Sequence, residues 1–200
     1  MTEVLAVLGG YLLGSLPFGY WLPRLFRGED IRTRGSGNVG ASNVFRVYGR
    51  QLGAAVALLD LAKGFAAALL GLWAGGALVG VLAGAAAMLG HARPVFLRFQ
   101  RGGKMVATGG GAALALAPLA ALCSLGVWLA VFLLTRYASL ASIVTALALV
   151  LFVWLFGYPW PVLVFAVASA AAVVLLHRHN IRRLLAGTEH RFELRRPRRA

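Results

Sequence analysis

Residues 35–46 read GSGNVGASNVFR, and two very different folds compete for them. Gly35, Gly37 and Gly40 satisfy the G-x-G-x-x-G spacing of a dinucleotide-binding turn, with Asp60 near where the ribose-binding acid of that fold stands. That fold needs a buried strand just before the glycines. What precedes them is GEDIRTR, residues 28–34, a charged loop, and Asp60 falls within an apolar segment. The dinucleotide reading fails on this context. In the other reading the glycines let backbone N–H groups turn toward an anion without steric cost. Ser36, Asn38, Ser42 and Asn43 add polar contacts, and Arg46 adds charge. Flanked by strongly apolar segments, the stretch reads as a phosphate cradle at a membrane surface, against a plain Gly-rich turn as the functionless alternative.

Composition sets the class. The chain has 200 residues, of which 60% are hydrophobic before its 25 glycines are counted, against about 45–50% with glycine in a soluble domain. Mean hydropathy is +0.79, and an integral membrane protein follows. The formal net charge of +14 comes from 20 Lys and Arg against 6 Asp and Glu. In a soluble chain this balance would suggest nucleic acid. Here it fits anionic headgroups and phosphorylated substrates, and no nucleic acid partner is expected. The single Cys123 lies in an apolar run and permits no disulfide framework. No targeting peptide is evident, since the first apolar segment lacks a basic leader.

Working outward, the chain offers about seven apolar segments, most near the roughly 20 residues that span a bilayer. They are Val4 to Leu25, Gln51 to Gly75, Ala77 to Phe96, a short Met105 to Leu116, Leu119 to Thr135, Ser139 to Phe156 and Trp160 to Leu176. Pro17 should kink or break the first. The short fourth segment leaves five or six spans open as alternatives. With seven, the loops on one side hold 19 of the 20 basic residues, which predicts an outside N-terminus and a cytoplasmic C-terminus. The fold class expected is an all-α polytopic bundle in one domain over residues 1–200, with residues 190–200 a basic cytoplasmic tail.

The exception is Lys63, three residues after Asp60 on the same helical face. A structural ion pair is preferred over a direct substrate role, because an unpaired charge in the membrane costs about 3 kcal/mol on insertion scales. The remaining chemistry gathers on the basic side. Gly102 and Gly103 precede Lys104 at the start of the short fourth helix, a natural anion site. It is not a Walker A loop, since Arg98 and Met105 break that pattern at both ends. His91 is a candidate for capping or bridging loops. Ser139 and Ser142 share one helical face, Ser139 as a candidate cap and Ser142 facing inward. His177 and Asn180 share another face, placed to hydrogen-bond an alcohol or phosphate, while His179 points elsewhere.

Three blocks, GSLPFGYWLPRLFRGEDIRTRGSGNVGASNVFR (14–46), GHARPVFLRFQRGGKMVAT (90–108) and SLASI (139–143) with HRHNIRRLLAGTE (177–189), together resemble the signature regions of the bacterial membrane acyl-phosphate:glycerol-3-phosphate acyltransferases. The resemblance implies seven helices and transfer of a fatty acyl group from acyl phosphate to the 1-hydroxyl of glycerol 3-phosphate. It implies no cofactor and no metal, with membrane lipid as surroundings; a soluble acyl-phosphate synthase is a candidate for transient contact, which the sequence itself does not reveal. By similarity, Ser36, Gly37, Asn38 and Gly40, with Ser42 and Asn43, form the phosphate cradle. Arg46 and Lys104 are the charge partners, beside Gly102 and Gly103. His177, Asn180 and Ser142 position glycerol 3-phosphate. The proton of the attacking hydroxyl goes either to His177 or to a substrate phosphate oxygen, with the latter preferred. Two departures stand out. Gln100 and Arg101 intervene where the family usually has one residue, and Met105 stands where glycine is usual. The competing function is a transporter or flippase for a phosphorylated metabolite or anionic lipid. A CDP-alcohol type phosphotransferase fits less well, because its metal needs a carboxylate cluster and the acids here are scattered.

Overall fold

Proline and glycine set the breaks in this chain, and helices fill the rest. The computed structural model describes residues 1–192, so all but three residues of the expected basic tail lie outside the described part. Nine helices follow in order among those residues: α1 (Thr2–Gly14), α2 (Phe18–Arg27), α3 (Ala41–Tyr48), α4 (Arg50–Ala92), α5 (Val106–Leu116), α6 (Pro118–Thr135), α7 (Ala138–Leu155), α8 (Trp160–Leu176) and α9 (Arg178–Leu185). No strand occurs among the described residues, which removes the dinucleotide fold from consideration.

Each of the seven expected apolar segments contains a helix, with three differences of form. The first is broken at Ser15–Pro17 into α1 and α2, as a proline without an N–H dictates. The second and third are the two arms of α4, folded back at Gly75 and Gly76. Gly76 has φ +71°, a conformation that favours glycine. The arms then touch backbone to backbone, since a Cβ on Gly71 would sit 2.5 Å from the Val79 carbonyl. The fourth, α5, has only 11 residues, about 16 Å at 1.5 Å per residue, against a hydrocarbon core of about 30 Å. Thr2–Arg27, Arg50–Leu97, Pro118–Thr135 and Ala138–Leu155 are long and apolar enough to cross a membrane, and α8 with α9 forms a fifth such stretch, bent by 60°.

Small residues let the central helices meet closely. α4 packs most extensively on α1 and α5. Gly14 lies on the Ala87 carbonyl, Gly64 on the Thr108 carbonyl and Gly111 on the Leu61 carbonyl, so that a Cβ at any of them would collide with backbone. This is the packing mode of helices in lipid, where close approach replaces the hydrophobic drive. Met88, Leu116, Leu149, Val153 and Phe165 fill the space between α4, α5, α7 and α8. Leucines and tryptophans such as Trp73, Trp154 and Trp160 stay exposed on the outer faces.

The expected ion pair is present: Lys63 Nζ lies 2.7 Å from Asp60 Oδ1, and both residues are buried. The loop between α2 and α3 is seated by Ile31 and Val39, which pack with Val44 of α3 on Val56 and Leu97. Its charges are paired locally, Asp30 with Arg32 at 2.6 Å and Glu29 with Arg34 at 3.1 Å.

Candidate functional site

A cavity of about 630 Å³ opens where the 35–46 stretch, the loop before α5 and the α8–α9 bend converge. Ser36, Asn38, Ser42, Arg46, Lys104, His177 and Asn180 line its polar end, and Ser142 lies beside them. Leu125, Trp128, Leu129, Phe132 and Leu149 line the remainder, with Trp128 stacked on Phe132 at 4.9 Å between ring centroids. Thirteen sequence candidates fall on these three segments and α7, and ten of them border the cavity, while Gly37, Gly102 and Gly103 lie in the adjoining loops without lining it.

The cradle loop is held by two asparagines. Asn43 Oδ1 accepts from the Ser36 amide at 3.0 Å, while its Nδ2 donates to the carbonyls of Arg34 at 3.1 Å and Asn38 at 3.0 Å. Asn38 Oδ1 accepts from the Gly40 amide at 2.8 Å, and its Nδ2 donates to the Gly102 carbonyl at 3.1 Å. Both side chains are therefore occupied in tying loops together.

The glycine amides differ from expectation. Gly37 donates to the Arg34 carbonyl at 3.0 Å, Gly102 to Ala92 at 2.9 Å and Gly103 to His91 at 3.0 Å. The last carbonyls of a helix lack intrahelical partners, and the Gly102–Gly103 turn supplies two of them at the end of α4. These amides are thus not free for an anion. Arg46 and Lys104, with the hydroxyls of Ser36 and Ser42, border the same space.

Lys104 is drawn toward α9: its Nζ donates to Asn180 Oδ1 at 2.5 Å. Asn180 Nδ2 in turn donates to Glu189 Oε1 at 2.7 Å, and Glu189 also receives Ser139 Oγ at 2.8 Å and Arg183 Nε at 2.7 Å. Burial alone would push the Glu189 carboxyl up, but the hydrogen bonds from Asn180, Arg183 and Ser139 hold it below the usual range. Burial pushes the Lys104 ammonium down to about 8, partly countered by Glu189 and reinforced by Arg183 and Arg46. Arg46 is also lowered, chiefly by desolvation, and its guanidinium lies 5.1 Å over the Phe192 ring. Among the described residues neither Arg46 nor Lys104 makes an ion pair.

His177 sits at the bend just beyond α8. Its Nδ1 lies 2.8 Å from the Val173 carbonyl, so Nδ1 carries the hydrogen and Nε2 has its lone pair free. Burial and the nearby Lys104 charge push its pKa down to about 4. Asn180 is buried on the same face and His179 is exposed, as the spacing predicts. Ser142 Oγ donates to the Ala138 carbonyl at 2.7 Å and lies 3.4 Å from Trp128 Nε1.

Sequence reasoning missed Glu189, Arg183, Trp128 and Phe192. Ser139 is not the cap it was expected to be: Tyr137 holds that position, and the Ser139 hydroxyl serves Glu189. One signal was available. Arg183 stands three residues after Asn180 and so on its face, and Glu189 closes the quoted third block.

Comparison with known proteins gives one consistent answer. Residues 4–187 match the family described as Glycerol-3-phosphate acyltransferase. A glycerol-3-phosphate acyltransferase of Synechococcus sp. (strain JA-2-3B'a(2-13)) is 49% identical over 96% of this chain and 96% of its own length. One from Aquifex aeolicus is 46% identical over 96% of this chain and 100% of its own. Among solved structures, PlsY (YgiH), an integral membrane glycerol 3-phosphate acyltransferase in its glycerol 3-phosphate form, matches with TM-score 0.92 at 45% identity, covering 96% of both chains. Its lysophosphatidic acid form matches with TM-score 0.89 at 44% identity over the same shares.

Proposed function

The chain belongs to the glycerol-3-phosphate acyltransferase family, and from that premise we propose that it takes its acyl group from acyl phosphate and places it on the 1-hydroxyl of glycerol 3-phosphate. The hydroxyl oxygen bonds to the acyl carbon, the bond from that carbon to the phosphate oxygen breaks, and the proton leaves on phosphate. Lysophosphatidic acid and inorganic phosphate result. The single observation that carries the reading is the cavity, which joins unpaired cations at one end to a long apolar lining at the other. No observation favours transport.

Arg46 and Lys104 take the two substrate phosphates, by charge-assisted hydrogen bonds that are stronger than neutral ones. Ser36, Ser42 and Ser142 border the same space as hydroxyl contacts. Asn38 and Asn43, with Gly37, Gly40, Gly102 and Gly103, act by shaping the loops. Lys104 also stabilises charge that develops on the leaving phosphate. His177 accepts a hydrogen bond from the attacking hydroxyl at Nε2. A pKa near 4 makes it a weak proton acceptor, which supports a substrate phosphate oxygen as the base. Asn180 holds Lys104 and shares its amide with Glu189.

The whole chain acts as one membrane domain, with the site on the cytoplasmic side of a bacterial membrane. The bias of basic loops supports that side. A soluble acyl-phosphate synthase is the class of partner that this donor requires.

The test is phosphate release by purified protein in lipid, given acyl phosphate with and without glycerol 3-phosphate, beside an Arg46→Ala control. Release that depends on glycerol 3-phosphate and yields lysophosphatidic acid is expected. Release without the acceptor, or none from folded protein, would refute the donor or the reaction.

A further inference from the structure

Three acceptors surround one buried ammonium between the arms of α4. Lys63 Nζ lies 2.7 Å from Asp60 Oδ1, 2.8 Å from the Leu16 carbonyl and 2.9 Å from His91 Nδ1. The Asp60 contact is an ion pair whose angle falls short of a hydrogen bond. Of the three donors of an ammonium, the Leu16 carbonyl and His91 Nδ1 take two, while the Asp60 carboxylate balances its charge. The Leu16 carbonyl lies in the α1–α2 break, where it also accepts from the Phe18 amide at 3.1 Å, and Lys63 thereby joins that break to both arms of α4.

The consequence falls on His91. With Nδ1 accepting from Lys63, the hydrogen of the ring is on Nε2. Nε2 faces Gly103 so closely that a Cβ there would overlap it, and a Cβ on Gly102 would overlap the His91 carbonyl. The amides of Gly102 and Gly103 bind Ala92 and His91, and Asn38 holds the Gly102 carbonyl. The next residue is Lys104. Apolar residues of similar size would pack the two arms without desolvating charges; what the ions add is a fixed direction for one imidazole.

We propose that His91, oriented by the Asp60–Lys63 pair, is a positioning residue for the acyl transfer, setting the Gly102–Gly103 turn and through it the place of Lys104. This rests on the reading of Lys104 as a phosphate partner. Asp60 and His91 border the cavity themselves, so the network sits directly beneath the groups it places.

The chain has two lysines, Lys63 and Lys104, which makes amine labelling specific. Pulse acetylation over a pH series, read by peptide mass spectrometry, follows Lys104 without reference to turnover. Lys104 is faced by Asn180, His177, Arg183 and Glu189 from the α8–α9 end and by Arg46 from α3. In the unsubstituted protein it should titrate near 8. In His91→Leu the titration should move toward the ordinary lysine value, and kcat/KM for glycerol 3-phosphate should fall about 100-fold, the scale of a misplaced catalytic group. His91→Asn, whose Oδ1 can replace Nδ1 as acceptor but which lacks the ring edge against Gly103, should fall between the two on both measures.

An unmoved titration with unchanged kcat/KM in His91→Leu overturns the proposal. A moved titration with unchanged kcat/KM keeps the hold of His91 on the loop but overturns the part of Lys104 in the reaction. If His91→Leu does not fold, Asp60→Leu with Lys63→Met removes the charges as a pair and leaves the ring without its anchor. The same shift of Lys104 is expected there, and its absence is equally decisive.

Discussion

Lys104 Nζ and Asn180 Oδ1 meet at 2.5 Å, joining the loop before α5 to the first turn of α9 across 76 positions of sequence. Asn180 spends its other amide group on Glu189, so one side chain sets both the cation and the carboxylate of the site. Asn180→Ala removes both bonds. Hydrogen bonds to charged groups contribute about 1.5–3 kcal/mol, so kcat/KM in the phosphate-release assay should fall about 10- to 100-fold in folded protein.

The Lys104 ammonium titrates near 8 rather than at the ordinary 10.5. Its charged form is the one that binds phosphate. Activity should therefore decline as pH rises through about 8, well before an ordinary lysine would lose its proton. Lys104→Arg keeps the charge throughout and should turn over more slowly with that decline gone. A decline that persists in Lys104→Arg would assign it to another group.

His177→Gln tests where the proton goes. Glutamine offers hydrogen-bonding groups but no basic nitrogen, so measurable turnover should survive, reduced but not abolished. Complete loss of turnover with glycerol 3-phosphate binding intact, measured by calorimetry, would make His177 the base.

Glu189 is held below the usual carboxylate range by its donors. A carboxylate with a lowered folded pKa stabilises the fold above its unfolded value, and that stability is lost as pH falls through the folded one. Glu189→Gln should lower the thermal unfolding midpoint at neutral pH and flatten its dependence on pH in the acid range. An unchanged midpoint would mean that the Arg183 pair contributes nothing.

Met105 has φ +68° and is nonetheless buried. A non-glycine residue there costs about 1–2 kcal/mol in conformation, against which the burial of its side chain works. Met105→Ala keeps the strain and loses the burial, whereas Met105→Gly loses both. Met105→Gly should thus be the more stable of the two by about 1 kcal/mol. Equal thermal midpoints would show that the left-handed turn is unstrained.

Helices and breaks were legible because their causes are local. Pro17, the Gly75–Gly76 pair and Pro118 each mark a boundary seen in the structure. The 177/180 and 60/63 pairs were legible because a helix puts such residues on one face. The Gly102–Gly103 amides were misjudged because their partners are carbonyls at the end of α4, visible only once the loop has folded back. Glu189 was missed for a related reason: its donor Ser139 lies 50 positions away, and no periodicity links them. Met105, where the resemblance leads to an expectation of glycine, has a glycine-like backbone conformation in the folded chain.

On the proposed reaction, the cavity's two ends draw on different phases. Glycerol 3-phosphate reaches the cationic end from water, where its amount is counted per volume. An acyl chain reaches the Trp128–Phe132 end from the bilayer, where its amount is counted per area. The measured constant for the donor should therefore follow its surface density, so that adding inert lipid slows the reaction at fixed total donor. The acylated product carries the same chain, and at the end of the reaction it should be recovered with the lipid and not with the buffer.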